Sequence, residues 1–230
     1  GTNTRYEKLY IDLDRNGTVS FSNNSLYYKD VFINYKSPTA ANDNVNITGA
    51  NTWHDLRVSS PKVILNTTIS AANTFDTLSM PNATSFTFQS NVTQNWNAFV
   101  TNGLCDSFPT YKSSTAGQQA TLNDLNGGIT GISFVNIKDI RVTGGTWNAS
   151  NVIDGGNNAG INITAAASVT YYRIGGSGSW TDPNRWSLTS GGASSSCIPT
   201  QNDDVVFDIL SFNANGQSVS VTSPLTIRNM

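Results

Sequence analysis

Three groups of residues have types and spacings that could do chemistry. Asp12-Leu13-Asp14-Arg15-Asn16-Gly17-Thr18 reads D-x-D-x-N-G, the opening of a calcium loop. In such a loop the oxygens of Asp12, Asp14, Asn16 and Thr18 face one centre, and the glycine permits the sharp turn. The twelfth position, normally a bidentate glutamate, is Asn23, and no helical pattern flanks the loop. A hairpin or corner with Asn16-Gly17 at its tip is the competing reading. Asp30 and Asp55 form the second group: on neighbouring turns of a repeating fold they would stand about 5 Å apart. Like charges that close raise one pKa, and such pairs serve retaining glycoside hydrolysis, here with Lys138 as an added cation. Alternatively both sit at a corner and accept backbone N–H groups, with Thr77 in the same role one turn later. The third group is the single histidine, His54, which excludes a multi-histidine metal site and leaves a Ser-His-Asp triad resting on one residue. Its repeat equivalents, Lys29, Asp76 and Lys138, show a slot that takes any polar side chain, as a solvated surface position does.

The elements that would position these residues follow from a repeat. Ile47-Thr48-Gly49-Ala50-Asn51-Thr52-Trp53-His54-Asp55-Leu56-Arg57-Val58 is echoed 22 residues on by Ile69-Ser70-Ala71-Ala72-Asn73-Thr74-Phe75-Asp76-Thr77-Leu78-Ser79-Met80. Tyr28-Lys29-Asp30-Val31-Phe32-Ile33 and Ile137-Lys138-Asp139-Ile140-Arg141-Val142 fit the same phrase, and Ile227-Arg228-Asn229-Met230 begins it again. A spacing in the low twenties, with short β-branched runs and no helical period, predicts an all-β, right-handed parallel β-solenoid. Stacked coils bring equivalent side chains together, so Val31/Ile33, Leu56/Val58, Leu78/Met80 and Ile140/Val142 are the expected inward ladders. Tyr28, Trp53 and Phe75 share one slot: inward, they make a core ladder, and outward, a stripe for sugar rings or protein. Trp147 has no repeat equivalent and is a candidate for an exposed aromatic.

Composition narrows the class. Charged residues are 12% and the net charge is -2, so no basic face exists for nucleic acid. Aromatic residues at 10% and regular β-branched runs separate the chain from disordered polar sequence. No run approaches the roughly 18 apolar residues of a membrane span. Polarity carried by Asn, Thr, Ser and Gly suits an extracellular β-solenoid. Cys105 and Cys197, both in loop-like sequence, are compatible with one disulfide or two thiols.

Residues 113–122, then Gly144-Gly145-Thr146-Trp147-Asn148-Ala149, then Asp154-Gly155-Gly156-Asn157-Asn158 occur in that order. The arrangement resembles the closing coils of modules in very large secreted surface proteins of gliding bacteria. Tyr171-Tyr172-Arg173-Ile174-Gly175-Gly176-Ser177-Gly178-Ser179-Trp180, with Trp186, leads to Pro199-Thr200-Gln201-Asn202-Asp203-Asp204-Val205-Val206-Phe207-Asp208. That stretch is similar to a module start in the giant gliding-motility adhesins exported by type IX secretion, and a looser version opens repeats of autotransporter adhesins. The resemblance implies a cell-surface adhesin segment whose partners are an extracellular surface or polysaccharide and the neighbouring modules of its own chain. It divides the chain into residues 1–165, a solenoid module, and 166–230, the capped, truncated start of the next. Trp180 and Trp186 would plug the cap and Val205-Val206-Phe207 would be its first buried strand. Where such modules place a second cysteine, this chain has Ser223-Pro224-Leu225-Thr226, so Cys197 is left to stay free or to reach Cys105. The competing class is a β-helix polysaccharide lyase or glycoside hydrolase using Asp30, Asp55 and Lys138.

Overall fold

The computed structural model describes residues 5–13, 17–36, 44–59, 65–81, 84–106, 108–165, 167–222 and 225–230. Its contacts divide the chain into two compact units, Gly1–Ala165 and Ala166–Met230.

The first unit is a β-solenoid of about 5 turns, built from parallel strands. One sheet stacks Arg5–Leu13, Tyr27–Tyr35, Thr52–Ser59, Thr74–Pro81, Thr93–Asn102, Ala120–Asp124 and Ile140–Thr143 in that order. The strands between them, Thr18–Phe21, Asn44–Ile47, Leu65–Ile69, Thr84–Phe88, Thr110–Ser113 and Asn136–Lys138, build a second sheet in the same order. Arg5–Leu13 and Thr18–Phe21 therefore lie in different sheets and do not pair with each other as the arms of a hairpin. The long strand Thr146–Asp154 pairs with Ile129–Ser133 through its first half and with Asn136–Lys138 through its last residues, and Ile161–Ala165 is added beside it.

Register explains the echo in the sequence. Tyr28 faces Trp53, Trp53 faces Phe75 and Phe75 faces Trp96, while Val31, Leu56, Leu78 and Phe99 form the adjacent column. All eight are buried. Tyr28 and Trp53 stack at 4.3 Å and Trp53 and Phe75 at 6.0 Å, so this aromatic slot is a core ladder. Val31, Ile33, Leu56, Val58, Leu78, Ile140 and Val142 are inward as expected, and the side chain of Met80 lies outside those described. The phrase at Ile137 is displaced, however. Ile137 and Lys138 belong to the second sheet, Asp139 turns the corner with a φ of 57°, and Val142 pairs with Leu122, which pairs with Gln94. Trp147 is also inward, 1% exposed, packed on Trp96 and Phe99. Its strand covers a part of the core that the 22-residue phrase does not reach.

The recurring Asn-Thr pair marks the corner that leads into the first sheet. Leu26 N–H donates to Asn51 Oδ1, Asn51 N–H to Asn73 Oδ1 and Asn73 N–H to Gln94 Oε1, at 3.0, 3.0 and 3.1 Å. Each coil thus supplies an amide oxygen to a backbone donor of the coil before it, where a tight turn would otherwise bury that donor unpaired. Asn73 Oδ1 also accepts from Trp53 Nε1 at 3.0 Å, tying the corner to the aromatic ladder. At the same corner Gly49 runs so close to Asn23 that a Cβ would stand 1.8 Å from its carbonyl oxygen.

In the second unit Thr170–Arg173 pairs antiparallel with Trp186–Ser187 and parallel with Asp204–Val206. Tyr171, Trp180, Trp186 and Val205 form this unit's own core. Asp204 makes a parallel bridge to Asn229 and a bidentate pair with Arg228, so the last residues begin another strand-like layer. Phe207, expected in the buried strand, follows its end and is 37% exposed.

Candidate functional site

Between each buried aromatic and the next buried apolar residue the first sheet turns two consecutive side chains outward. These are Lys29-Asp30, His54-Asp55, Asp76-Thr77 and Asn97-Ala98 in successive coils. Asp30 faces Asp55 directly, and Thr77 and Ala98 continue the column. The carboxylates are thus placed mid-strand, in Tyr27–Tyr35 and Thr52–Ser59, between the corners of their coils.

His54 lies between the two acids. Its Nδ1 is 3.0 Å from Asp30 Oδ1 and 3.8 Å from Asp55 Oδ2. The hydrogen bond to Asp30, helped by the charges of Asp55, Asp30 and Asp76, raises the imidazole pKa above its usual value. A protonated ring relieves the repulsion of two acids facing each other on adjacent strands. Rows on either side are balanced the same way: Lys29 pairs with Glu7 at 3.0 Å, and Asn97 Nδ2 donates to Asp76 Oδ1 at 2.9 Å. Among the described residues, single donor atoms of Asp30, His54 and Asp55 lie within 4.8 Å of one another, a geometry that could meet on one cation. Lys138, proposed as the third member of a catalytic set with Asp30 and Asp55, stands in the second sheet opposite Lys112 and is not brought to them.

Of the calcium-like turn, Asp14 and Asn16 lie outside the described residues. Thr18 opens the strand Thr18–Phe21 and is exposed. Asp12 is engaged by the next coil: Lys36 Nζ stands 2.8 Å from Oδ2 and Asn34 Nδ2 donates to Oδ1 at 3.1 Å. Those hydrogen bonds lower its pKa. Cys105 occupies a turn of the first unit, after Gly103 and Leu104, and Cys197 is half-buried against the core of the second.

Beyond the predicted residues, the outward face presents aromatic surface that sequence reading missed. Tyr10, 60% exposed, stacks on Phe32 at 4.9 Å with Lys8 Nζ 5.6 Å from its ring centre, and Arg57 follows in the same column. Tyr10 and Phe32 stand 22 residues apart, the coil spacing, so the outward column has a sequence signal of its own beside the apolar slots.

No protein family, curated protein or solved structure matches the chain. The outward surface combines ionic and aromatic groups on an open sheet face, laid over a core that keeps its slots.

Proposed function

We propose that this chain is a binding segment of a large secreted repeat adhesin, acting at the cell surface in attachment and gliding without turnover. The observation that carries the reading is the contrast between slots. Inward columns hold aromatic or aliphatic residues coil after coil, whereas outward ones run Lys29, His54, Asp76, Asn97 and Asp30, Asp55, Thr77, Ala98. Such a scaffold presents a different surface at every coil, which suits distributed contact with an extended polysaccharide or solid surface. Many weak contacts on one chain add to firm attachment by effective concentration. The rows of residues 113–160 and 171–208 that resemble gliding-motility adhesins support the same reading.

The convergence of Asp30, His54 and Asp55 favours a second reading, glycan cleavage. One experiment separates the two. Beads coated with the chain are exposed to neutral and acidic polysaccharide films, and reducing ends are measured in the same wells. Retention without new reducing ends is the expected result. Turnover that Asp55→Asn abolishes would overturn the adhesin reading.

A further inference from the structure

The turn at residues 114–119 overhangs an open groove of about 480 Å³, whose floor includes Thr121 and Arg141 and whose walls are amide side chains. We propose that this groove binds a carboxylated sugar unit of an acidic polysaccharide. The inference rests on the adhesion reading for its ligand class and adds a specific site to it.

The chemistry begins with Arg141. It lies on Ile140–Thr143, the strand that closes the first sheet, faces Thr121 in register and is exposed. Among the described residues no carboxylate pairs with it, although Lys29, Lys36 and Arg228 each have an acid partner. A free guanidinium fork in a groove is matched by a carboxylate, which takes two parallel hydrogen bonds from it. The walls supply the rest of a sugar's requirements. Asn91 Nδ2 donates to Gln118 Oε1 at 3.1 Å and Gln119 Nε2 to Asn157 O at 2.9 Å. These bonds hold the amides in place, while Gln118 Nε2 and Gln119 Oε1 keep unused donors and acceptors for hydroxyl groups.

The backbone of the groove is set in advance. Asn91, Gly117 and Asn157 have φ values of 59°, 80° and 57°, a conformation that asparagine and glycine accept most readily. Asp139, whose carboxylate bonds to the groove residue Asn157, is 2% exposed, and its Oδ1 accepts from Asn157 Nδ2 at 2.7 Å. Its charge is thereby used to fix a wall, and Arg141 is left as the cation of the open groove. No aromatic or aliphatic side chain lines the groove, so an apolar ligand gains nothing there. Its volume falls within the roughly 300–1,000 Å³ of small-ligand sites, enough for one or two sugar rings.

The test uses the whole chain and trigalacturonate, with the fully methyl-esterified trimer as a neutral copy of the same sugar, followed by calorimetric titration. Saturable binding of the acid trimer is expected, weaker by roughly ten- to hundredfold for the ester and for Arg141→Gln. Arg141→Lys, which keeps the charge and loses the fork, falls between. The side-chain amide resonances of Asn91, Gln118 and Gln119 should shift on binding. Equal affinity for acid and ester, no saturation at millimolar trimer, or an Arg141→Gln variant that binds as the parent does, would each overturn the site. Bead retention on polygalacturonate films distinguishes the two levels of the reading. Retention without any trimer binding keeps adhesion and removes this groove, while trimer binding without retention keeps the groove and removes adhesion.

Discussion

Replacing Asn73 by alanine tests whether the corner amides hold the coils together. Asn73 is 1% exposed, and its Oδ1 accepts from both the Asn51 backbone N–H and Trp53 Nε1, each at 3.0 Å. Alanine leaves both donors buried without a partner, whereas Ala71 O keeps the Gln94 Nε2 donor at 2.8 Å. An orphaned buried donor costs about 1–3 kcal/mol, so two cost about 2–6 kcal/mol. At about 2–4 °C per kcal/mol for a unit of this size, a central cost of about 4 kcal/mol lowers the melting temperature by roughly 8–16 °C. The assay is urea denaturation followed by tryptophan fluorescence, with exposed Asn66→Ala as a control expected to change stability by less than about 0.5 kcal/mol. Trp53→Phe sharpens the test, because phenylalanine has no N–H to orphan. In the Asn73→Ala background it should cost about 1–2 kcal/mol less than in the parent. An Asn73→Ala cost below about 1 kcal/mol, or the same Trp53→Phe cost in both backgrounds, would refute the ladder as a source of stability.

Three further outcomes are expected. Proton NMR should place the His54 pKa above its usual 6.5, and Asp30→Asn should lower it. Because the folded-state pKa is the higher one, this contribution to stability is complete below the unfolded-state pKa and is lost as pH rises through the folded one. Gly49→Ala should destabilise the first unit by about 2 kcal/mol or more in thermal denaturation, since the added Cβ meets backbone oxygen. In the second unit, Asp203 accepts from Val169 N, Thr200 N and Thr200 Oγ1, at 3.0, 2.8 and 2.7 Å. Asp203→Ala should therefore speed hydrogen exchange at the Val169 and Thr200 amides by at least about tenfold, while leaving exchange at Leu56 unchanged.

The core was readable in the sequence because packing repeats. Trp53 and Phe75, and Leu56 and Leu78, are register partners because each must fill the same slot one coil apart. The same logic misplaced Lys138. The phrase at Ile137 has the right residue types but is broken by a left-handed corner at Asp139, which puts its two halves in different sheets. Trp147 lacks a repeat partner, the pattern expected of a surface residue, yet it packs from Thr146–Asp154 onto Trp96. The pairing of Asp30 with Asp55 followed from the 25-residue spacing, but the insertion of His54 between them depends on which outward rotamers meet. The Arg141 groove had no local signal. Its residues come from positions 91, 117–121, 141 and 157, and only the turns bring them together.

The parallel register of the first unit also decides how it would yield under load. Backbone hydrogen bonds between coils run along the stacking direction, so tension between the first and last coils loads those ladders in series. The weakest inter-coil interface parts first and the remainder stays wound. With Trp53 and Phe75 22 residues apart, each released coil would pay out roughly 75 Å of chain before the next one bears the force. A tether of this construction lengthens stepwise and dissipates a sudden pull, whereas tension along the strands would be shared by a whole ladder and resisted until it failed at once.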